Sequence, residues 1–109
     1  MQPPIPPLKP GAPAARVFIE IDGQINKEVR LDKPSLTIGR QDGRDIQIKH
    51  QSVSRSHARI IAENGVWIVE DADSVNGIVY NGQRVKRTAL SNGDRVFVSP
   101  NIALLYKTI

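Results

Sequence analysis

The sequence has no cysteine, and its 109 residues include only two histidines, one tryptophan, two tyrosines and two phenylalanines. Without cysteine the chain has no disulfide framework, thiolate zinc site, iron–sulfur cluster or thiol nucleophile. His50 and His57 are too few for most zinc sites, and no acidic cluster supports them. We therefore expect no metal and no cofactor, and the missing cysteines fit a cytoplasmic location.

Long apolar runs and the signatures of common enzymes are also missing. No stretch approaches the roughly 18 apolar residues of a membrane span. The chain has no GxSxG, HExxH, Walker or GxGxxG pattern. Ser54, Ser56 and His57 are close in sequence, but no recognisable third group holds the histidine as a base. We therefore expect a protein that is not an enzyme.

The distribution of proline divides the chain into two parts. Six of the eight prolines lie between Pro3 and Pro13, which predicts that residues 1–15 form an extended, disordered linker or tail. Residues 16–109 then form one domain.

The net charge of +4 favours acidic or phosphorylated partners, but it falls short of the dense basic footprint of a DNA-binding domain.

Alternating apolar residues after Arg16 predict short strands. The period-two stretches are 17–21, 29–31, 36–38 and 45–49, and β-forming residues are dense at 67–69 and 96–98. Asn-Gly occurs four times, and both of its residues tolerate the positive φ of a type I′ hairpin turn. Tyr80-Asn81-Gly82-Gln83 is the clearest hairpin. The pattern predicts an all-β sandwich or barrel.

One segment fits two structures. Ser54 to Ala62 reads as a helix with Ser54 as its N-cap and with Ala58, Ile61 and Ala62 on one face. Ala58, Ile60 and Ala62 also alternate as they would in a strand. The local pattern does not decide between helix and strand.

Several short polar motifs occur in an order that resembles a forkhead-associated (FHA) domain. They are Leu36-Thr37-Ile38-Gly39-Arg40, Val53-Ser54-Arg55-Ser56-His57-Ala58, Asn76-Gly77, Tyr80-Asn81-Gly82 and Leu90-Ser91-Asn92-Gly93-Asp94. The resemblance extends from about Val17 to Ile109. It implies a SMAD/FHA-like sandwich of two sheets with about 10–11 short strands, in which Ser54 lies in a loop and residues 58–62 form a strand.

The resemblance also implies a function. FHA domains bind phosphothreonine peptides through loops at one end of the sandwich, so the expected partner is a phosphothreonine-containing protein, for example from a Ser/Thr kinase pathway. Arg40, Ser54 and Arg55 match phosphate-binding positions, with the Ser54 hydroxyl and backbone amide both available. Asn76 matches the asparagine that binds the peptide backbone. A phosphate needs such converging guanidinium, hydroxyl and amide donors.

The same resemblance implies that other residues shape the binding pocket or determine which ligand sequences bind. Residues expected to shape the pocket are Gly39, His57, Gly77 and Asn81. Residues expected in the specificity loops are Lys49, His50, Ser52, Asp73, Ser74 and Val75. Lys49 and His50 suggest a preference for an acidic residue in the ligand.

The sequence departs from the family pattern near Asn76. The family usually has serine or threonine where this chain has Val75, and threonine where it has Ile78. A missing hydroxyl removes one phosphate contact unless Ser74 or Arg55 compensates. A phosphate-independent interaction module on the same fold therefore stays open as an alternative. The net charge of +4 and the basic residues Arg84, Lys86 and Arg87 leave nucleic-acid binding as a less favoured alternative.

Overall fold

The predicted period-two stretches form strands in the computed structural model, which describes residues 13–109. This part of the chain has eleven strands, and no helix in it is long and apolar enough to cross a membrane. The strands are β1 Ala15–Ile21, β2 Gln24–Arg30, β3 Ser35–Gly39, β4 Ile46–Gln47, β5 Ala58–Glu63, β6 Val66–Asp71, β7 Ile78–Tyr80, β8 Gln83–Val85, β9 Arg87–Ala89, β10 Arg95–Ser99 and β11 Ile102–Thr108.

The strands form two sheets that pack as a sandwich. The six-stranded sheet has the order β2-β1-β11-β10-β7-β8, and the five-stranded sheet has the order β4-β3-β5-β6-β9. Pairing is antiparallel except between β3 and β4, where Ile38 lies opposite Ile46. The predicted all-β, two-sheet sandwich is therefore confirmed, and the number of strands agrees with the expectation.

The inward-facing residues of both sheets form one core. Val17, Ile60, Trp67 and Val96 have no exposed surface. Alternate residues of each strand face this core, as the pleat of a strand requires. The Trp67 indole also donates to the carbonyl of Pro13 at 2.9 Å, which satisfies its only polar atom.

The chain joins the sandwich slightly before the predicted boundary at residue 16. Ala15 is buried, its carbonyl accepts from Leu31 N, and the Ala14 carbonyl accepts from Ile109 N at 2.9 Å. The last residues of the expected 1–15 linker thus belong to the domain. The rest of that prediction, residues 1–12, lies outside the described residues.

The ambiguous segment forms a loop followed by a strand. Ala58, Ile60 and Ala62 are buried on β5, so the strand interpretation holds and the helix does not form. A helix would leave neighbouring β3 and β6 without their shared partner. The predicted strand at 45–49 is shorter, because β3, its only partner, ends at Gly39 opposite Gln47.

The Asn-Gly turns divide into two kinds. Asn64-Gly65 and Asn81-Gly82 have positive φ at both residues and close hairpins, as type I′ turns do. At the other two sites only Gly77 and Gly93 are positive, and the preceding asparagines are not. Asn76 is therefore not part of a type I′ hairpin turn, and its side chain reaches the neighbouring loop between β4 and β5.

Candidate functional site

Three loops meet at one end of the sandwich and enclose a cleft. They are the segments after β3, between β4 and β5, and between β6 and β7. The cleft has a volume of about 410 Å³ and is lined by Arg40, Gln51, Ser52, Val53, Ser54, Arg55, Asp73, Val75 and Asn76. Residues more than thirty positions apart in sequence thus line one cavity. The four predicted ligand contacts, Arg40, Ser54, Arg55 and Asn76, are among them.

The Arg40 guanidinium is held in place by the neighbouring loop. Arg40 Nε donates to the Val53 carbonyl at 3.0 Å, and the Arg40 backbone amide donates to the Ser54 carbonyl at 2.9 Å. The two terminal nitrogens have no partner among residues 13–109. A guanidinium fixed through Nε with both terminal NH₂ groups free is suited to bidentate binding of a phosphate.

The Ser54 hydroxyl connects two of the loops. Its oxygen accepts from the Val75 amide at 3.0 Å, which leaves the hydroxyl hydrogen available as a donor. The expectation that the Ser54 amide is also available is wrong. That amide donates to His57 Nδ1 at 3.1 Å. Ser54 therefore offers one donor to an anion rather than two.

His57 is buried beneath the cleft and does not line it. Nδ1 accepts from Ser54, so the imidazole carries its hydrogen on Nε2 and donates to the Gly77 carbonyl at 2.8 Å. The side chain has no exposed surface. Its two hydrogen bonds join the loop of Ser54 to the loop of Asn76, which is the supporting role that the family resemblance implies.

The Asn76 side chain is exposed at the rim. Its Nδ2 donates to the Ser52 carbonyl at 2.7 Å. Oδ1 has no partner within the described part of the chain. The oxygen can therefore accept a hydrogen bond from the backbone amide of an extended ligand.

Ser74 is not available to replace the hydroxyl missing at Val75. The Ser74 hydroxyl donates to Asp71 Oδ1 and accepts from the Gly77 amide at 2.8 Å, and the residue is buried. Val75 itself is 81% exposed at the rim of the cleft. Arg55, which also lines the cleft, remains the second cation near Arg40.

The specificity residues are only partly gathered at the cleft. Ser52 and Asp73 line it, whereas His50 shapes it from outside by accepting from the Ser52 amide at 3.1 Å. Lys49 lies elsewhere, in a groove with Ile19, Lys27 and other residues between the two sheets. Asn81 closes the β7–β8 hairpin. The suggested acidic preference therefore has no support from Lys49.

Two arginines outside the sequence motifs hold the loops of the cleft in place. Arg84 on β8 packs against Gly77, where a Cβ would lie 2.2 Å from its Nε, and it donates to the carbonyls of Ser74 and Val75 at 3.4 Å. Arg44 Nε donates to the Arg55 carbonyl at 3.0 Å. Arginines outside the motifs give no sequence signal for such contacts.

Of the three basic residues that suggested nucleic-acid binding, Arg84 and Arg87 contact other parts of the domain. Arg87 pairs with Glu63 at 3.2 Å and with Glu70 at 3.3 Å. Arg84 is engaged with the loop of Ser74. Residues 13–109 also contain no group of three side chains able to hold a metal ion. The cleft described above is lined by two arginines, Arg40 and Arg55.

Comparison with known proteins identifies the family. A sequence model of the FHA domain matches residues 36–98, more than half of the chain. The chain belongs to the FHA domain family. FHA domains are phosphopeptide-binding modules. The structure is also similar to the Slr1951 protein of Synechocystis, with a TM-score of 0.79 and 31% identity over 89% of this chain and 97% of that one.

Two relatives of this FHA domain are named as a regulator and as an enzyme inhibitor. The chain is 39% identical over 66 residues to the glycogen accumulation regulator GarA of Mycolicibacterium smegmatis, covering 61% of this chain and 42% of that protein. It is 32% identical over 89 residues to the oxoglutarate dehydrogenase inhibitor of Corynebacterium diphtheriae, covering 82% and 62%. The chain therefore spans only about half the length of these relatives.

Proposed function

We propose that this FHA domain binds phosphothreonine-containing segments of a partner protein through the Arg40 cleft. The observation that carries the proposal is the convergence of Arg40, Ser54 and Asn76 on one cavity. Arg40 supplies the fixed guanidinium, and Ser54 supplies a hydroxyl donor. Asn76 Oδ1 holds the peptide backbone beside them.

The electrostatics of the cleft suit a phosphate. A phosphorylated side chain carries about −1.5 to −2 charge and three acceptor oxygens. The lining residues include two arginines, Arg40 and Arg55, and one carboxylate, Asp73, so the net charge of the lining is positive. Val75 adds an exposed apolar surface at the rim, suited to the methyl group that distinguishes phosphothreonine from phosphoserine.

The names of the relatives support a regulatory role through binding. One is a regulator and another is an inhibitor of an enzyme. We infer that this chain acts by docking onto a phosphorylated partner, and that it does not itself catalyse a reaction.

Isothermal titration tests the proposal with a degenerate peptide mixture that contains one fixed phosphothreonine. We expect binding to the phosphorylated mixture and at least tenfold weaker binding to the unphosphorylated and phosphoserine mixtures. Arg40→Ala should abolish binding. Arg30→Ala, which removes an exposed arginine from β2, should not change it. Unchanged affinity for Arg40→Ala would refute the assignment.

A second candidate is phosphate-independent docking at the same rim. The exposed side chain of Val75 and the inward-turned hydroxyl of Ser74 favour it, because together they lower the number of phosphate donors. In that case the phosphorylated and unphosphorylated mixtures bind with equal affinity, and Arg40→Ala has no effect.

A further inference from the structure

A groove lies on the open side of the sandwich, between the edges of the two sheets. It has a volume of about 320 Å³, with β1 and β2 on one side and the end of β4 on the other. We call it the seam groove. Its floor is formed by Ile19, Ile21 and Ile48, and its mouth by Asn26, Lys27, Gln47 and Lys49. None of these residues lines the phosphate cleft.

A β-bulge in β2 turns two neighbouring side chains into the seam groove. Lys27 lies opposite Ile19, and Ile25 lies opposite Glu20, so Asn26 is an extra residue without a partner on β1. In a regular strand Asn26 and Lys27 would point to opposite faces, whereas a bulge allows both to line one groove. The local backbone therefore places an amide and an ammonium together at the mouth.

The mouth of the seam groove is cationic. Lys27 and Lys49 are exposed, and neither forms an ion pair with a carboxylate of residues 13–109. Lys27 Nζ donates to the Gln47 carbonyl at 3.2 Å, which joins the edges of the two sheets. The neighbouring carboxylate of Asp42 accepts from the Gln47 side chain at 2.7 Å rather than from a lysine. Both ammonium groups therefore keep donors for an anion.

The backbone on both sides of the seam groove suits an extended peptide. β2 and β4 are the end strands of their sheets. Such edge strands have backbone N–H and C=O groups that can bond to an added extended segment. The isoleucine floor suits an aliphatic side chain better than the charged backbone of a nucleic acid. The groove thus combines the features of a peptide site.

A lysine at the edge of a sheet also has a purely structural explanation. Lys27 shares the face of β2 on which Val29 contacts the core, and inward-pointing lysines prevent edge-to-edge association of sheets. That explanation requires neither Lys49 nor the bulge that adds Asn26 to the mouth. The convergence of all three on one groove is the observation that points to a ligand.

We propose that the seam groove binds an unphosphorylated acidic segment of a partner protein, with a carboxylate between Lys27 and Lys49 and an aliphatic side chain on the isoleucine floor. A carboxylate suits it better than a phosphate, because no arginine and no hydroxyl line this groove, whereas both line the phosphate cleft. This site goes beyond the proposed function, since it needs no phosphorylation. A partner that has both a phosphothreonine and an acidic segment can occupy both sites at once.

NMR titration of the isotope-labelled protein tests the site with three unphosphorylated peptides. The first alternates leucine and glutamate, the second replaces glutamate with glutamine, and the third replaces leucine with serine. We expect the first to shift the backbone amides of Asn26, Lys27 and Lys49, and the other two to bind about fivefold more weakly. The amides of Arg40 and Ser54 should not shift.

Variants assign the binding to the two lysines. Lys27→Gln and Lys49→Gln should each weaken binding of the leucine–glutamate peptide about threefold, and together about tenfold. Lys86→Gln is the matched control, because it removes an exposed lysine between β8 and β9, the end strands on the other side. Lys86→Gln and Arg40→Ala should leave the affinity unchanged. Thermal unfolding checks that each variant is folded.

Several outcomes would overturn the seam-groove proposal. They are equal binding of the glutamate and glutamine peptides, shifts centred on the Arg40 cleft, and the absence of shifts at millimolar peptide. Tighter binding of a single-stranded oligonucleotide that is lost in the double lysine variant would identify nucleic acid as the ligand instead. Self-association of Lys27→Gln with unchanged peptide affinity would show that Lys27 only protects the edge. The phosphate cleft stands or falls separately, by its own titration with Arg40→Ala.

Discussion

The Arg55 carbonyl oxygen lies 2.1 Å from the position that a Cβ on Gly39 would occupy. Gly39 does not have a positive φ, so its role is close approach rather than an unusual backbone conformation. The contact lets the backbone after β3 lie directly against the loop of Ser54. The Arg40 and Gln41 amides donate to that loop at 2.9 and 3.3 Å.

Gly39→Ala should destabilise the domain and weaken phosphopeptide binding, because a methyl group cannot share space with a backbone carbonyl. We expect a loss of about 3 kcal/mol in the free energy of unfolding, measured by urea denaturation. Gly23→Ala is the control. Gly23 has a positive φ but open space around it, so the cost there is about 1–2 kcal/mol. Equal losses for the two variants would contradict the close-contact explanation.

Arg84→Met should weaken phosphopeptide binding without unfolding the protein. Methionine keeps the apolar stem but cannot donate to the carbonyls of Ser74 and Val75, so the Asn76 loop loses its support. We expect affinity to fall roughly fivefold in isothermal titration. Arg87→Met, which removes a residue paired with Glu63 and Glu70, should leave affinity unchanged. An effect of similar size for both variants would point to general charge rather than to loop positioning.

Val75→Thr should increase phosphopeptide affinity. The substitution places a hydroxyl at the rim of the cleft on a residue that is 81% exposed, so folding is little affected. A new hydrogen bond to a charged phosphate corresponds to about tenfold tighter binding. The control variant Val66→Thr should show no gain in phosphopeptide affinity. An unchanged affinity for Val75→Thr would mean that residue 75 does not face the phosphate.

Asp45 should make the free energy of unfolding depend on pH. The Lys33 ammonium, and then the Thr37 backbone amide, lower the pKa of this carboxyl below its ordinary value of 3.8. The unfolded chain therefore binds a proton more readily than the folded one, and the stabilisation is present above that value and lost as the pH falls through the lower folded pKa. In urea denaturation, the wild type should have a larger free energy of unfolding than Asp45→Asn, and this difference should shrink as the pH is lowered below 3.8. An advantage that stays constant would contradict this.

Strands β1, β3, β6 and β10 were predictable because alternating or densely β-forming residues carry a strong signal, whereas β9 and β11 were not predicted and β5 was ambiguous. Ala58, Ile60 and Ala62 fit a strand, while Ala58, Ile61 and Ala62 fit a helix, and only the neighbouring strands β3 and β6 decide between them. Family motifs identified Arg40, Ser54 and Asn76 as candidates that the structure brings to one cleft.

Long-range contacts account for what the sequence did not predict. The role of Arg84 depends on β8 pairing with β7, which places it against Gly77. The use of the Ser54 amide depends on where the His57 ring lies after folding. Lys49 was expected near the ligand because the family resemblance assigns the loop that it shares with Ser52 to specificity, but Lys49 lines a different groove. Sequence proximity does not fix the direction of a loop side chain.

The most direct test is an NMR titration of the isotope-labelled protein with a phosphothreonine peptide mixture. Backbone amide shifts should cluster at Arg40, Ser54 and Asn76 and should be absent when the unphosphorylated mixture is added. Shifts centred on another face of the sandwich, or equal shifts with both mixtures, would contradict the account that these three loops form one phosphate-reading site.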